Sequence, residues 1–232
     1  MTYTLAIADR AYSSWSLRGW LLFAKLDIPV TLAVSRLYDP GFADSLAAFA
    51  PGRTVPALRI DGGRAPVVVW DSLAIAETLA ERFPDRPFWP GDAAARGLAR
   101  SLAAEMHAGF TALRQACPMN LRRAYVGFEP PEAVRADLGR LEALWAAARA
   151  GGGAGPWLFG AWSAADAFFA PVAARVATYG LPVGDEAAAY VATQLADPAF
   201  VAWRSEGLAD PVVQSVYDKD LPQRDWPGPV PA

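Results

Sequence analysis

Residues 84–92, PDRPFWPGD, hold three prolines, and neither a helical nor a strand period can run through them. The chain differs on the two sides of this break. Before it, short apolar runs alternate with amphipathic ones; after it, every long apolar pattern has the helical period. The punctuation predicts an α/β unit over 1–83, a linker over 84–92, an all-helical unit over 93–210, and a tail over 211–232 whose five prolines keep it extended on the surface.

Within the first unit, YTLAIA (3–8) reads as a buried strand, and Leu17, Trp20, Leu21 and Ala24 then recur at helical spacing. VTLAVSRL (30–37) alternates as a strand, and the intervening helix predicts that it runs parallel to the first. GFADSLAAFA (41–50) predicts a short helix ended by Pro51 and Gly52. VPALRI and PVVVW follow as a hairpin across DGG, and DSLAIAETLAERF closes the unit as a helix. The order is β-α-β-α-β-β-α. In the second unit, segments at about 93–117, 131–150, 163–179 and 186–206 predict an antiparallel bundle, with GGGAG (151–155) as a flexible connection.

Composition removes several function classes. A net charge of -3 supplies no basic field for a phosphate backbone, and Arg122 with Arg123 reads as a solvated helix end, so nucleic acid is not an expected partner. The start MTYTLAIADR has neither the cationic opening nor the apolar run of a signal peptide, and no stretch is long enough to span a membrane without a charge, which predicts a cytoplasmic chain without membrane contact. Cys117 and His107 are the only residues of their kinds, so no disulfide, thiolate zinc site or HExxH motif is available, and no metal is expected. G-x-S-x-G and the nucleotide-binding glycine spacings are absent.

Three places carry candidate chemistry. RAYSSWSLRGW (10–20) puts Ser13, Ser14 and Ser16 at a strand-to-helix turn, where one hydroxyl caps the helix and Ser16 is placed to do so. Pro56 opens a strand, either as a trans proline at an edge or as a cis proline that turns the chain and presents the N–H and C=O of Val55 to an extended guest. Asp71 and Ser72 begin a helix, either as a plain cap or as a grip in which the hydroxyl and free N–H groups hold a carboxylate and the Asp holds an ammonium.

Together these stretches resemble the cytosolic glutathione S-transferases, and YSSWSLRGWLL with APGRTVPALRIDG is similar to the serine motif and the Asn-Pro-x-Lys-x-Val-Pro segment of the zeta class. The resemblance covers residues 3–83 in order and spacing; beyond them it rests on architecture and on WSAADAFFAPV, which resembles the family's capped sixth helix with Ser163 as cap and Asp166 as its return partner. It implies a thioredoxin-like domain with a cis-proline at Pro56, an all-helical second domain, and glutathione as cosubstrate. Ser13 would be the catalytic hydroxyl with Ser14 beside it, Val55 the partner of the cysteinyl backbone, Asp71 and Ser72 the holders of the γ-glutamyl end, and Arg53 the contact of the glycyl carboxylate. Two positions depart: the zeta cysteine is Trp15 here, and the glutamine before the second helix falls near Pro40 and Gly41.

The activity implied is glutathione transfer to small electrophiles in detoxification, with a zeta-like isomerase or a non-catalytic binding or scaffold protein of the same fold as alternatives, and a homodimer as the assembly. Tyr12 is the rival hydroxyl, since some classes use tyrosine, while Cys117 lies far from the serine motif in sequence. On the first bundle helix Ala103, Met106, His107 and Phe110 share one face, as core or as the wall of an electrophile pocket.

Overall fold

In the computed structural model the described residues are 1–151 and 153–229, so the second glycine of the GGGAG run and the last three residues of the proline-rich tail lie outside them. The first unit follows the expected order: β1 (Thr2–Ile7), α1 (Ser14–Ala24), β2 (Thr31–Val34), α2 (Phe42–Ser45), β3 (Ala57–Asp61), β4 (Val67–Val69) and α3 (Ser72–Arg82). The sheet order is β2-β1-β3-β4. β1 lies parallel to β2 with Thr4 opposite Thr31, and antiparallel to β3 with Leu5 opposite Leu58. A crossover helix is what a parallel pair needs, and α1 supplies it. Leu5, Ile7, Leu58 and Ile60 are buried, and Leu17, Leu21 and Leu22 of α1 join the same core.

Where α1 meets the start of β3 the fit is close. A Cβ on Gly19 would lie 2.7 Å from Cβ of Pro56, so only glycine lets the helix approach there. The Val55–Pro56 peptide bond is cis.

The second unit comprises α4 (Ala93–Ala108), α5 (Thr111–Ala116), α6 (Glu132–Ala150), α7 (Ala164–Tyr179), α8 (Asp185–Ala196) and α9 (Pro198–Ala209). Two segments read as single helices are broken. The 93–117 segment stops at Gly109, whose Cβ would meet Glu105 O at 2.9 Å, and resumes after Phe110 in the left-handed region at φ 59°. The 186–206 segment is cut at Asp197, whose carboxylate accepts the Ala199 N–H at 3.0 Å and so caps a new helix with Pro198 in its first turn. Hydrophobic period continues through both breaks because both halves face one core.

Every residue of α7 is buried, with α1, α4 and α8 packed around it. Its start is the capping box anticipated at Ser163 and Asp166: Asp166 Oδ2 accepts the Ser163 N–H at 2.8 Å. Asp166 Oδ1 also accepts the hydroxyl of Tyr190 at 2.9 Å and the N–H of Leu158 at 3.2 Å.

Arg122 is not a solvated helix end. Its guanidinium donates to the carbonyls of Gly207 at 2.8 Å, Val212 at 3.3 Å and Asp210, and so ties the tail to the body. The tail then forms a 3-10 turn at Ser215–Tyr217 and a strand β6 (Gln223–Arg224) antiparallel to β5 (Ala124–Tyr125). No described helix is long and apolar enough to cross a membrane.

Candidate functional site

A cavity of about 350 Å³ lies where the two units and the tail meet. The first unit contributes Ser13, Ser14, Trp15 and Val55 to its wall; the helical unit contributes Arg114 and Arg175, and the tail Tyr217. Residues some 160 positions apart in the chain thus converge on one serine turn.

Ser13, not Ser16, caps α1. Its Oγ accepts the Ser16 N–H at 3.3 Å and donates to Ser16 Oγ at 2.8 Å, while Ser16 Oγ accepts the N–H of Ala8 at 2.9 Å. Ser16 is fully buried and serves the end of β1, which sequence position alone does not disclose. Ser14, at the first helical position, receives a long hydrogen bond of 3.4 Å from Arg175 Nη2. Val55 stands two residues before the first β3 residue, so it belongs to the cavity rather than to the ladder.

Asp71 and Ser72 do begin α3, and neither lines this cavity. Asp71 Oδ1 accepts the Leu73 N–H at 3.0 Å as a cap, and Oδ2 lies 3.1 Å from His107 Nε2. Since the carboxylate can only accept, Nε2 carries the imidazole proton. Burial pulls the His107 pKa down, partly opposed by Asp71, and keeps the ring neutral. Ser72 is fully buried and its hydroxyl has no partner among the described residues. Arg53 is exposed and lines a neighbouring depression that shares Phe42 with the serine cavity.

The proposed electrophile wall is corrected. Ala103, Met106 and Phe110 are buried members of the main core, and His107 is turned to Asp71 and to the edge of Trp15, with ring centroids 5.1 Å apart. The i, i+3, i+4, i+7 face of α4 is covered by its neighbours, a choice that periodicity cannot make. The cavity wall comes instead from Arg114, Pro118, Met119, Arg175 and Tyr217. Only the arginines carry a readable signal: a charged residue inside an otherwise apolar helical segment.

Tyr12 also lines the cavity, with its ring 4.9 Å from that of Tyr217 and its hydroxyl buried without a partner among the described residues. Cys117 is buried, and desolvation pushes its thiol up to about 12, so it is no nucleophile. Its backbone is nonetheless close to the serine turn, because its carbonyl accepts Arg175 Nε at 2.8 Å.

Arg175 is 4 % exposed and spends its donors on neutral groups, the carbonyls of Cys117 and Pro171 and the hydroxyl of Ser14. Burial lowers its pKa to about 10, with Arg114 adding repulsion. Arg18 is fully buried over Trp15, 4.6 Å from the ring centroid, and its three guanidinium nitrogens have no hydrogen-bond partner among the described residues. Desolvation, then Arg114 and Arg175, push its pKa down while Asp71 opposes them.

Residues 12–82 match the family model described as "Glutathione S-transferase, N-terminal domain". No curated protein matches the chain. Among solved structures, a glutathione transferase homologue from Burkholderia with bound glutathione is similar at 22% identity and TM-score 0.66, over 90% of this chain and 100% of that one. Glutathione transferase Omega 1C from Trametes versicolor is similar at 19% identity and TM-score 0.65, over 90% and 95% of the two chains. Ure2p in complex with glutathione is similar at 19% identity and TM-score 0.67, over 88% and 94%. The chain therefore has the fold of the glutathione transferases, a thioredoxin-like unit with a helical unit, and its residues 12–82 match that family's N-terminal domain.

Proposed function

We propose that the cavity binds glutathione and holds its sulfur as a thiolate for attack on a small electrophile. One observation carries the reading: Ser13 and Ser14 at the start of α1 line a single cavity with Val55. A similar solved structure, the Burkholderia homologue, contains bound glutathione. Val55 is the proposed partner of the cysteinyl backbone beside Pro56, and Asp71 with Ser72 the proposed grip on the γ-glutamyl end. The buried, unpartnered Ser72 hydroxyl supports that grip, because an orphan donor gains most from a carboxylate. Arg53 is the proposed contact of the glycyl carboxylate, from the depression next door.

Ser13 is the proposed thiolate donor and Ser14 its neighbour. A hydroxyl has one donor and two acceptor sites. If Ser16 reverses its bond and donates to Ser13, then Ser13 accepts from Ser16 Oγ and from Ser16 N–H and sends its own proton to the sulfur. Ser16 remains satisfied by the Ala8 N–H. Lowering a thiol pKa from about 8.5 to about 6.5 takes roughly 2.7 kcal/mol. A hydrogen bond to the anion gives about 1.5–3 kcal/mol and the helix N-terminus about 0.3–1. No general base is needed.

The test is retention on glutathione-agarose followed by an assay with an activated aryl halide. Retention with turnover supports the transferase. Retention without turnover, on several electrophiles, supports a binding or scaffold protein of this fold, and no retention overturns the glutathione reading.

A further inference from the structure

We propose that the wall of the cavity built by α5 and α7 is a binding site for the carboxylate of an acidic electrophile, held by Arg114 and Arg175 beside Ser14. The word electrophile rests on the glutathione reading above; the anion site does not.

The inference starts from uncompensated charge. Arg175 donates only to two carbonyls and, at 3.4 Å, to the Ser14 hydroxyl. Arg114 donates to the carbonyls of Gly109 at 2.9 Å, His107 at 3.0 Å and Met106, and its Nη1 has no hydrogen bond to the described residues. Arg18 makes none to any described residue. Among the described residues none of the three forms an ion pair with a carboxylate, although Asp71 acts on Arg18 at longer range. A buried guanidinium is not neutralised by losing its proton, so the charges persist and repel one another.

Three cations thus face one carboxylate, and that carboxylate is already engaged with His107 and the Leu73 N–H. A glutathione thiolate at the serine turn would still leave one positive charge over. Burying such charge without a counter-ion is costly, and a second anion relieves it. Of the three, Arg114 and Arg175 reach the cavity wall, and both come from the helical unit, while Val55 of the first unit lines the same cavity. Trp15, under Arg114 at 4.7 Å, is itself part of the wall and adds apolar surface to it.

A suitable probe is 4-chloro-3,5-dinitrobenzoate, with 4-chloro-3,5-dinitrobenzamide as its neutral counterpart. In either, the thiolate forms the C–S bond at the chlorinated carbon and chloride leaves with the C–Cl electron pair, the thiol proton having gone to solvent. After division by the uncatalysed rates with glutathione, kcat/KM for the benzoate should exceed that for the benzamide by about tenfold or more, and the ratio should fall as salt is added. Arg114→Gln should bring the ratio toward one, while Arg114→Lys should keep part of it.

Direct binding of 3,5-dinitrobenzoate, read by quenching of tryptophan fluorescence without glutathione, should be saturable and tighter than that of 3,5-dinitrobenzamide by a similar factor. Equal affinities and equal corrected rates for the acid and the amide overturn the proposal, whatever the variants do. If the acid binds but glutathione-agarose does not retain the protein, the anion site stands and the transferase reading falls.

Discussion

Ser13 Oγ lies 2.8 Å from Ser16 Oγ, and Ser16 in turn holds the N–H of Ala8 at the end of β1. Strand, cap and proposed thiolate donor are therefore one hydrogen-bonded unit. Ser13→Ala should cost about 1 kcal/mol of stability as a lost cap and raise the pKa of bound glutathione by roughly one to two units. Ultraviolet absorbance of the bound thiolate against pH measures the second effect. Ser16→Ala should destabilise more, by about 1–3 kcal/mol, because it strands the buried Ala8 N–H.

Tyr12→Phe separates the rival hydroxyl. The Tyr12 hydroxyl is buried with no partner, so its removal should leave stability unchanged or slightly improved. The thiol titration should stay in place. A rise in the thiol pKa for Tyr12→Phe, with none for Ser13→Ala, would reject the serine assignment.

Ser72→Ala should separate stability from affinity. Deleting an unsatisfied buried hydroxyl costs the free protein little, whereas a bound γ-glutamyl carboxylate would lose a donor worth about 1–3 kcal/mol. Calorimetric titration with glutathione, alongside thermal unfolding, reads both. Unchanged affinity would remove Ser72 from the proposed grip.

Burial pushes the Asp166 carboxyl up to about 6. A native pKa above the unfolded one means that the folded protein binds this proton more tightly, so the contribution of Asp166 is greatest below about pH 4 and is lost as pH rises through about 6. The change amounts to roughly 3 kcal/mol. Urea unfolding between pH 4 and 7 should show the wild type losing stability relative to Asp166→Asn as pH rises; parallel profiles would contradict this.

A two-fold homodimer remains the expected assembly. α3 buries Ile75, Ala76 and Leu79 in its own core and leaves Leu73 and Ala80 partly uncovered, which gives a partner something apolar to meet. Light scattering at micromolar concentration in moderate salt should return twice the chain mass, and a monomer would refute it.

Much of the fold was legible because its signals are local. Period-2 and period-3.6 runs placed β1, α1, β2 and the β3–β4 hairpin, the three prolines of 84–92 fall between α3 and α4, and the Ser163–Asp166 spacing announced the capping box. Only residues near one another are needed for any of these.

The site divides along the same line. Ser13, Ser14 and Val55 were readable because turn chemistry and a proline restrict the chain within a few residues, and the cavity brings them together. Which serine caps α1 was decided by Ala8, whose N–H claims Ser16 through a contact between strand and helix. Whether Met106 and Phe110 line a pocket or fill the core was decided by the elements packed around α4. The gathering of Arg18, Arg114 and Arg175 around Trp15 and Ser14 depends on α1, α5 and α7 meeting in space, and charge in a sequence carries no address until the chain has folded.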